Sequence, residues 1–253
     1  MCGLAGISSN RIDENTKTSS LKILDFLSHR GPDDSGYFIS KDILMLHTRL
    51  SIIDIPGGGQ PIEGSQYILT ANGEIYNDLE IREENRDYKY ETGSDCESII
   101  CVYNNFGIEG FSKLRGMYAF SLYDKKKNEL IIGRDPFGIK PLYFSFSNGK
   151  FIYSSEPQAL IKSGLIVPRI SKQKTKELLQ LQFCIGRETI YKGIFRLRPG
   201  ETLIIKKGEV IKSELFNKTN AFKRLLVNNK KINDTLSESI SLHQRSDVPY
   251  GVF

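Results

Sequence analysis

YAFSLYDKKKNELIIGRDPFGIKPLYFSFSNGKFIYS, residues 118–154, decides the fold class. It holds four short runs rich in aromatic and β-branched residues, at 118–123, 129–133, 142–146 and 151–154. Such residues favour a pleated, half-buried backbone. DKKKN separates the first two runs and SNGK the last two, so both pairs read as antiparallel hairpins. Further strands are expected at 4–8, 44–47 and 67–70, bounded by Gly, Asn, Asp or Pro.

Helical spacing is interleaved with these strands. Leu21, Leu24 and Leu27 recur toward one face and predict a helix over 18–28. A second helix is expected over 95–106, with Ser94 as N-cap and Glu97 completing a capping box. Beyond Gly164 the texture changes. A helix at 171–183, a hairpin of 201–205 with 209–212 around Lys207-Gly208, and a long polar helix at 221–242 are expected. The class is α+β and layered, with residues 1–165 as the core and 166–253 as its end and a connector. The closing SDVPYGVF stops inside an apolar run without a polar tail, and truncation is the expectation.

Composition narrows the function. The chain has 253 residues, 39% hydrophobic and 26% charged, which is ordinary for a globular protein. The net charge of +5 is spread along it, and the basic runs at 125–127, 206–207 and 230–231 adjoin turn residues. No face interleaves basic with aromatic residues, so nucleic acid is not an expected partner. No apolar run approaches the ~20 residues of a membrane span, and no secretory leader is recognisable. The four cysteines (2, 96, 101, 184) form no CxxC pair and have no His at ligand spacing, which argues against a metal site or a disulfide framework. Reducing cytoplasm is the expected compartment, and there Cys2 stays a free thiol.

Four segments carry candidate chemistry. Cys2-Gly3 follows the initiator Met. Removal of Met1 leaves an α-amine beside the thiol, and an amine of pKa about 7.7–8.0 is a competent base for its own side chain. Read alone, Cys2 is more simply a buried strand residue. TANGEIYN, 70–77, is expected as a loop after a strand. There Asn72 and the Gly73 N–H form a donor pair for an oxyanion, although Asn-Gly by itself is more often a hairpin turn. Arg49 suits a carboxylate, while Glu74 and Asp95 suit an ammonium, each singly being an ordinary surface charge. HRGPDDSG (29–36) and RDPFGIKPLY (134–143) are Gly/Pro loops with charges.

In order along the chain, CGLAGI, HRGPDDSG, HTRLSIID, GGGQPI, NGEIYN, TGSDCESI, LRGMYAFSLYD, RDPFGIKPLY and YSSE resemble class II (N-terminal nucleophile) glutamine amidotransferases. NGEIYN, Pro199-Gly200 and DVPYGVF resemble the glutamine-hydrolysing asparagine synthetase branch. The resemblance implies a four-layer αββα sandwich of the N-terminal nucleophile hydrolase type. It implies attack by Cys2 on L-glutamine through a thioester, with Asn72 and Gly73 as oxyanion hole. By the same resemblance Arg49 holds the α-carboxylate, the backbone of Leu50, Ser51, Ile52 and Ile53 lines the site, and Glu74 with Asp95 receives the α-ammonium. No cofactor is implied for this part. ATP and Mg are implied only for a covalent C-terminal synthetase domain, whose Ser-Gly-Gly-rich phosphate loop does not occur in these residues. A homodimer is left open.

Two other readings are compatible with the same residues. A non-catalytic regulatory or interaction domain follows if Met1 is retained. A Cys-type N-terminal nucleophile acylase shares the Cys2 signal alone, and fits a free amino acid substrate less well than Arg49 with Asp95 does.

Overall fold

The computed structural model describes residues 1–216, 228–249 and 251. In chain order the elements are β1 (Gly3–Ser8), α1 (Glu14–Leu27), β2 (Asp34–Ile39), β3 (Ile43–Arg49), β4 (Ile62–Glu63), β5 (Tyr67–Ile75) and α2 (Asp78–Glu84). A 3-10 turn, Asp95–Glu97, leads into α3 (Ser98–Phe106). Then come β6 (Gly116–Asp124), β7 (Glu129–Arg134), β8 (Tyr143–Ser147), β9 (Lys150–Ser154), α4 (Pro157–Lys162) and α5 (Lys172–Leu181). The chain continues through β10 (Ile194–Arg196), β11 (Glu201–Lys206), β12 (Glu209–Leu215) and α6 (Asn229–His243).

Two antiparallel sheets of six strands are stacked, in the orders β10-β8-β9-β1-β3-β2 and β12-β11-β7-β6-β5-β4. Side-chain alternation explains the layers. On β3, Ile43 and Met45 enter the core between the sheets, while Leu44 and Leu46 pack with Ile23 and Leu27 of α1. On β6 and β7, Ala119, Leu130 and Ile132 face the same inter-sheet core. Phe120, Leu122 and Ile131 turn outward onto Ile99 and Val102 of α3. Each central strand is therefore apolar on both faces, as a sheet covered on both sides requires, and the stack is a four-layer αββα sandwich. Both hairpins expected over 118–154 are present, as β6-β7 and β8-β9.

The differences from the sequence reading have identifiable causes. The first helix begins at Glu14 because Asp13 caps it, its carboxylate accepting the Thr16 N–H at 2.7 Å. Ser94 makes no side-chain cap, and Glu97 closes no capping box. The Glu97 carboxylate instead accepts the N–H groups of Glu91 and Thr92 and the Thr92 hydroxyl, which ties down the loop before the turn. Residues 70–77 are not a loop up to Ile75. Asn72, Gly73 and Glu74 pair with Ala119, Tyr118 and Met117 of β6. Inter-strand pairing here overrides the turn preference of Asn-Gly.

The sheets also continue past residue 165. β10 joins one sheet and β11-β12 the other, with Leu203 and Ile205 in the inter-sheet core. Pro157 opens α4 at its first position, where a missing N–H costs nothing. Residues 221–227 of the expected long helix lie outside the described residues. The helix that is described, α6, starts at Asn229, where the extended Asn228 caps it by accepting the Lys231 N–H at 2.8 Å, and it returns to the sandwich. Arg115 pairs with Glu238 at 2.8 Å, and the rings of Tyr76 and His243 are 4.0 Å apart. No helix among the described residues is long and apolar enough to cross a membrane.

Candidate active site

β1, β3 and β5 converge on one cavity of about 270 Å³. Cys2 enters it from just before β1, Arg49 and Leu50 from the end of β3, and Asn72, Gly73 and Glu74 from β5. Ile52, Ile53, Asp95, Cys96 and Lys140 complete much of the wall. All the sequence-derived site residues except Ser51 line it. Ser51 turns away, its N–H donating to Asp33 Oδ2 at 2.8 Å.

Two partners fix Cys2. Its Sγ accepts the Leu50 N–H at 3.3 Å, and its carbonyl accepts Arg30 Nε at 3.0 Å. Arg30 also pairs with Glu156 at 3.0 Å, so HRGPDDSG and YSSE meet behind the nucleophile. Burial pushes the Cys2 thiol up from its ordinary value, and the Leu50 N–H opposes that shift. Burial lowers the chain's α-amine, carried here by Met1, toward its neutral form.

Asn72 is almost wholly buried, and its Nδ2 has no hydrogen-bond partner among the described residues. A buried amide donor left unpaired is costly unless something else receives it. Gly73 is required by the sheet itself, because a Cβ there would stand 2.4 Å from the Met117 carbonyl. Close backbone approach to β6, not only room for a substrate, accounts for this glycine.

The charged residues behave differently from one another. Arg49 donates to the carbonyls of Ile55, Ile53 and Asp54 at 3.0, 3.2 and 2.6 Å. Much of its fork thus holds the 53–55 loop at the cavity mouth, a role the sequence did not announce. Asp95 Oδ2 accepts the Ile75 N–H at 2.6 Å. Burial, aided by the charge of Glu74, raises its carboxyl to about 6. Glu74 is raised by burial as well, and its Oε1 is buried without a partner. The cavity therefore offers unmatched acidic groups at one end.

Several residues of the cavity wall escaped the sequence reading, Gln60, Cys96 and Lys140 among them. Gln60 accepts the Ala71 N–H at 2.6 Å and lines the wall, Cys96 lies beside Asp95, and Lys140 projects from RDPFGIKPLY. GGGQPI, TGSDCESI and RDPFGIKPLY had flagged their segments without singling them out. Among the described residues no group of three or more His, Cys, Asp or Glu is placed to hold a metal ion. All four cysteines are free thiols.

The glutamine amidotransferase domain family matches residues 1–216, and the chain belongs to that family. Asparagine synthetase [glutamine-hydrolyzing] 1 of Bacillus subtilis is 34% identical over 264 residues, covering 100% of this chain and 42% of that protein. Asparagine synthetase B [glutamine-hydrolyzing] of Escherichia coli is 33% identical, again covering 100% of this chain and 42% of that protein. The chain thus spans less than half the length of these relatives. In structure it resembles the glutamine phosphoribosylpyrophosphate amidotransferase of B. subtilis, with a TM-score of 0.61 at 21% identity over 85% of this chain and 49% of that one. That likeness identifies the fold as the N-terminal nucleophile hydrolase type.

Proposed function

We propose that this domain hydrolyses the side-chain amide of L-glutamine to glutamate and ammonia. The observation that carries the reading is the unpaired, buried Asn72 Nδ2 in the same cavity as Cys2. Cys2 Sγ attacks the amide carbon while its proton passes to the α-amine that removal of Met1 exposes. The oxyanion takes hydrogen bonds from Asn72 Nδ2 and the Gly73 N–H. Collapse breaks the C–N bond, the amine returns its proton to the leaving nitrogen, and ammonia departs. Water then cleaves the thioester. Glu74 and Asp95 receive the α-ammonium, and the donors of Arg49 not held by loop carbonyls receive the α-carboxylate together with the 50–53 backbone.

Full-length relatives named as asparagine synthetases support a destination for the ammonia. We place it in ATP-dependent asparagine or related amide formation, in a covalent synthetase portion that would hold the ATP and Mg. The four free thiols suit a cytoplasmic setting. The test is glutamate release from glutamine by the Met1-processed chain and by Cys2→Ala. Loss of release in the variant is expected, and equal rates would overturn the reading.

A further inference from the structure

Lys140 lies on the turn between β7 and β8, and its backbone is held from both sides. Its N–H donates to Asp135 Oδ2 at 3.0 Å and its carbonyl accepts Arg134 Nε at 2.6 Å. Arg134 also donates to the carbonyls of Leu197 and Gly138, and Asp135 Oδ1 accepts the N–H groups of Phe137 and Ile139. Gly138 has φ +65°, and a Cβ there would stand 2.9 Å from Pro199, so the turn admits little else. This adjacent Arg-Asp pair spends its hydrogen bonds on fixing where Lys140 stands.

The side chain so placed is 7% exposed and lines the Cys2 cavity. Among the described residues its ammonium has no hydrogen bond or ion pair. A buried cation without a dedicated partner is expensive, and such groups cluster where chemistry needs a field. The charges around it are Cys2, Glu74, Arg30 and Asp135, with Arg49, Asp95 and the α-amine on the same cavity or beside it. Arg30 is engaged by Glu156 and the Cys2 carbonyl, Arg49 by loop carbonyls, and Asp135 by backbone N–H groups. Among the described residues Lys140 is therefore a cavity side-chain cation that no hydrogen bond or ion pair commits.

We propose that Lys140 is an electrostatic partner of the Cys2 nucleophile, a fixed cation that stabilises the negative charge the sulfur carries as it attacks. The inference rests on the reading of Cys2 given above. Burial pushes the thiol up, and the Leu50 N–H, the α-amine, Arg49 and Lys140 oppose it in that order. The charge of Lys140 also lowers the α-amine, which keeps the base free to take a proton. Lys140 acts through Cys2 and is a positioning residue.

Alkylation of Cys2 by iodoacetamide across pH 7–11, read on the Cys2 peptide by mass, reports the thiolate without any glutamine turnover. Met1-processed wild type, Lys140→Met and Lys140→Arg are compared. For Lys140→Met the midpoint should rise by about half a pH unit, with an alkylation rate about threefold lower near neutrality. Lys140→Arg should follow wild type. If Lys140→Met fails to fold, Lys140→Gln takes its place. Superimposable profiles for wild type and the neutral variant would overturn the proposal. That outcome is distinct from full glutaminase activity in Cys2→Ala, which would overturn the nucleophile itself.

Discussion

The carboxylate of Asp247 accepts the backbone N–H of Asp54 at 2.7 Å, while the Asp247 N–H donates to the Ile52 carbonyl at 3.0 Å. Two residues 193 positions apart thus share one loop, and that loop includes Ile52 and Ile53 of the cavity wall. The segment after α6 is fastened further by the ion pair of Arg245 with buried Asp78. The C-terminal end of the described chain therefore bears directly on the mouth of the site.

Asp247→Ala should loosen this mouth without touching the chemistry. Asp54 has φ +51° and is held by its own carboxylate bonds to Gly57 and Gly93, by Arg49 and by Asp247. Removing one tie leaves the loop to be ordered at the cost of binding energy. A hydrogen bond of about 1 kcal/mol corresponds to a KM for glutamine about fivefold higher, with kcat nearly unchanged. Steady-state kinetics of glutamate release check this, and an unchanged KM would refute it.

Asn72→Ala should have the opposite signature. Its donor has no partner in the resting site, so the proposed bond forms only with the oxyanion. An interaction made only in the transition state lowers kcat and kcat/KM together. The loss should be about 10²–10³-fold, with KM within about twofold. A variant whose whole loss sits in KM would place Asn72 in ground-state binding instead.

These contrasts show what was legible in the sequence. The strand runs of 118–154 announced both hairpins, because alternating bulky residues between turn residues have few other solutions. Cys2, Asn72 and Asp95 were reachable from motif order. The hold of Arg49 on the 53–55 loop was not, because its loop carbonyls are recognisable only once 53–55 folds back. The strand character of Asn72-Gly73 was hidden for a related reason, since it depends on pairing with β6 more than 40 residues later. Lys140 looked like one more loop charge until the Arg134-Asp135 clamp aimed it inward.

His47 predicts an acid-sensitive fold. Its Nε2–H donates to the Ala71 carbonyl at 3.0 Å across the two sheets, leaving Nδ1 buried and unpaired. Burial, the largest influence, lowers its pKa from 6.5 to about 4. The unfolded chain therefore takes up this proton first as pH falls. Stability is full above about 6.5, declines between 6.5 and 4, and levels off below 4, a loss of about 3 kcal/mol from this residue. Urea unfolding at pH 7 and pH 4.5 should show a smaller pH dependence in His47→Gln, which keeps a donor and cannot titrate. Identical pH dependence in the two proteins would remove His47 as the cause.

Asp95 links substrate binding to protons. Its carboxyl stands at about 6 chiefly because it is buried, and secondarily because Glu74 lies near. An α-ammonium arriving beside them favours the charged form of Asp95, which is therefore driven to release its proton on binding. At pH 6 glutamine should therefore bind with net proton release, and KM should rise as pH falls through 6. Calorimetric titration of Cys2→Ala with glutamine, in two buffers of different ionisation enthalpy, counts the protons directly. Asp95→Asn should cut the count and flatten the pH dependence of affinity between 5 and 7. If the count stays the same in that variant, the ammonium is received elsewhere in the cavity.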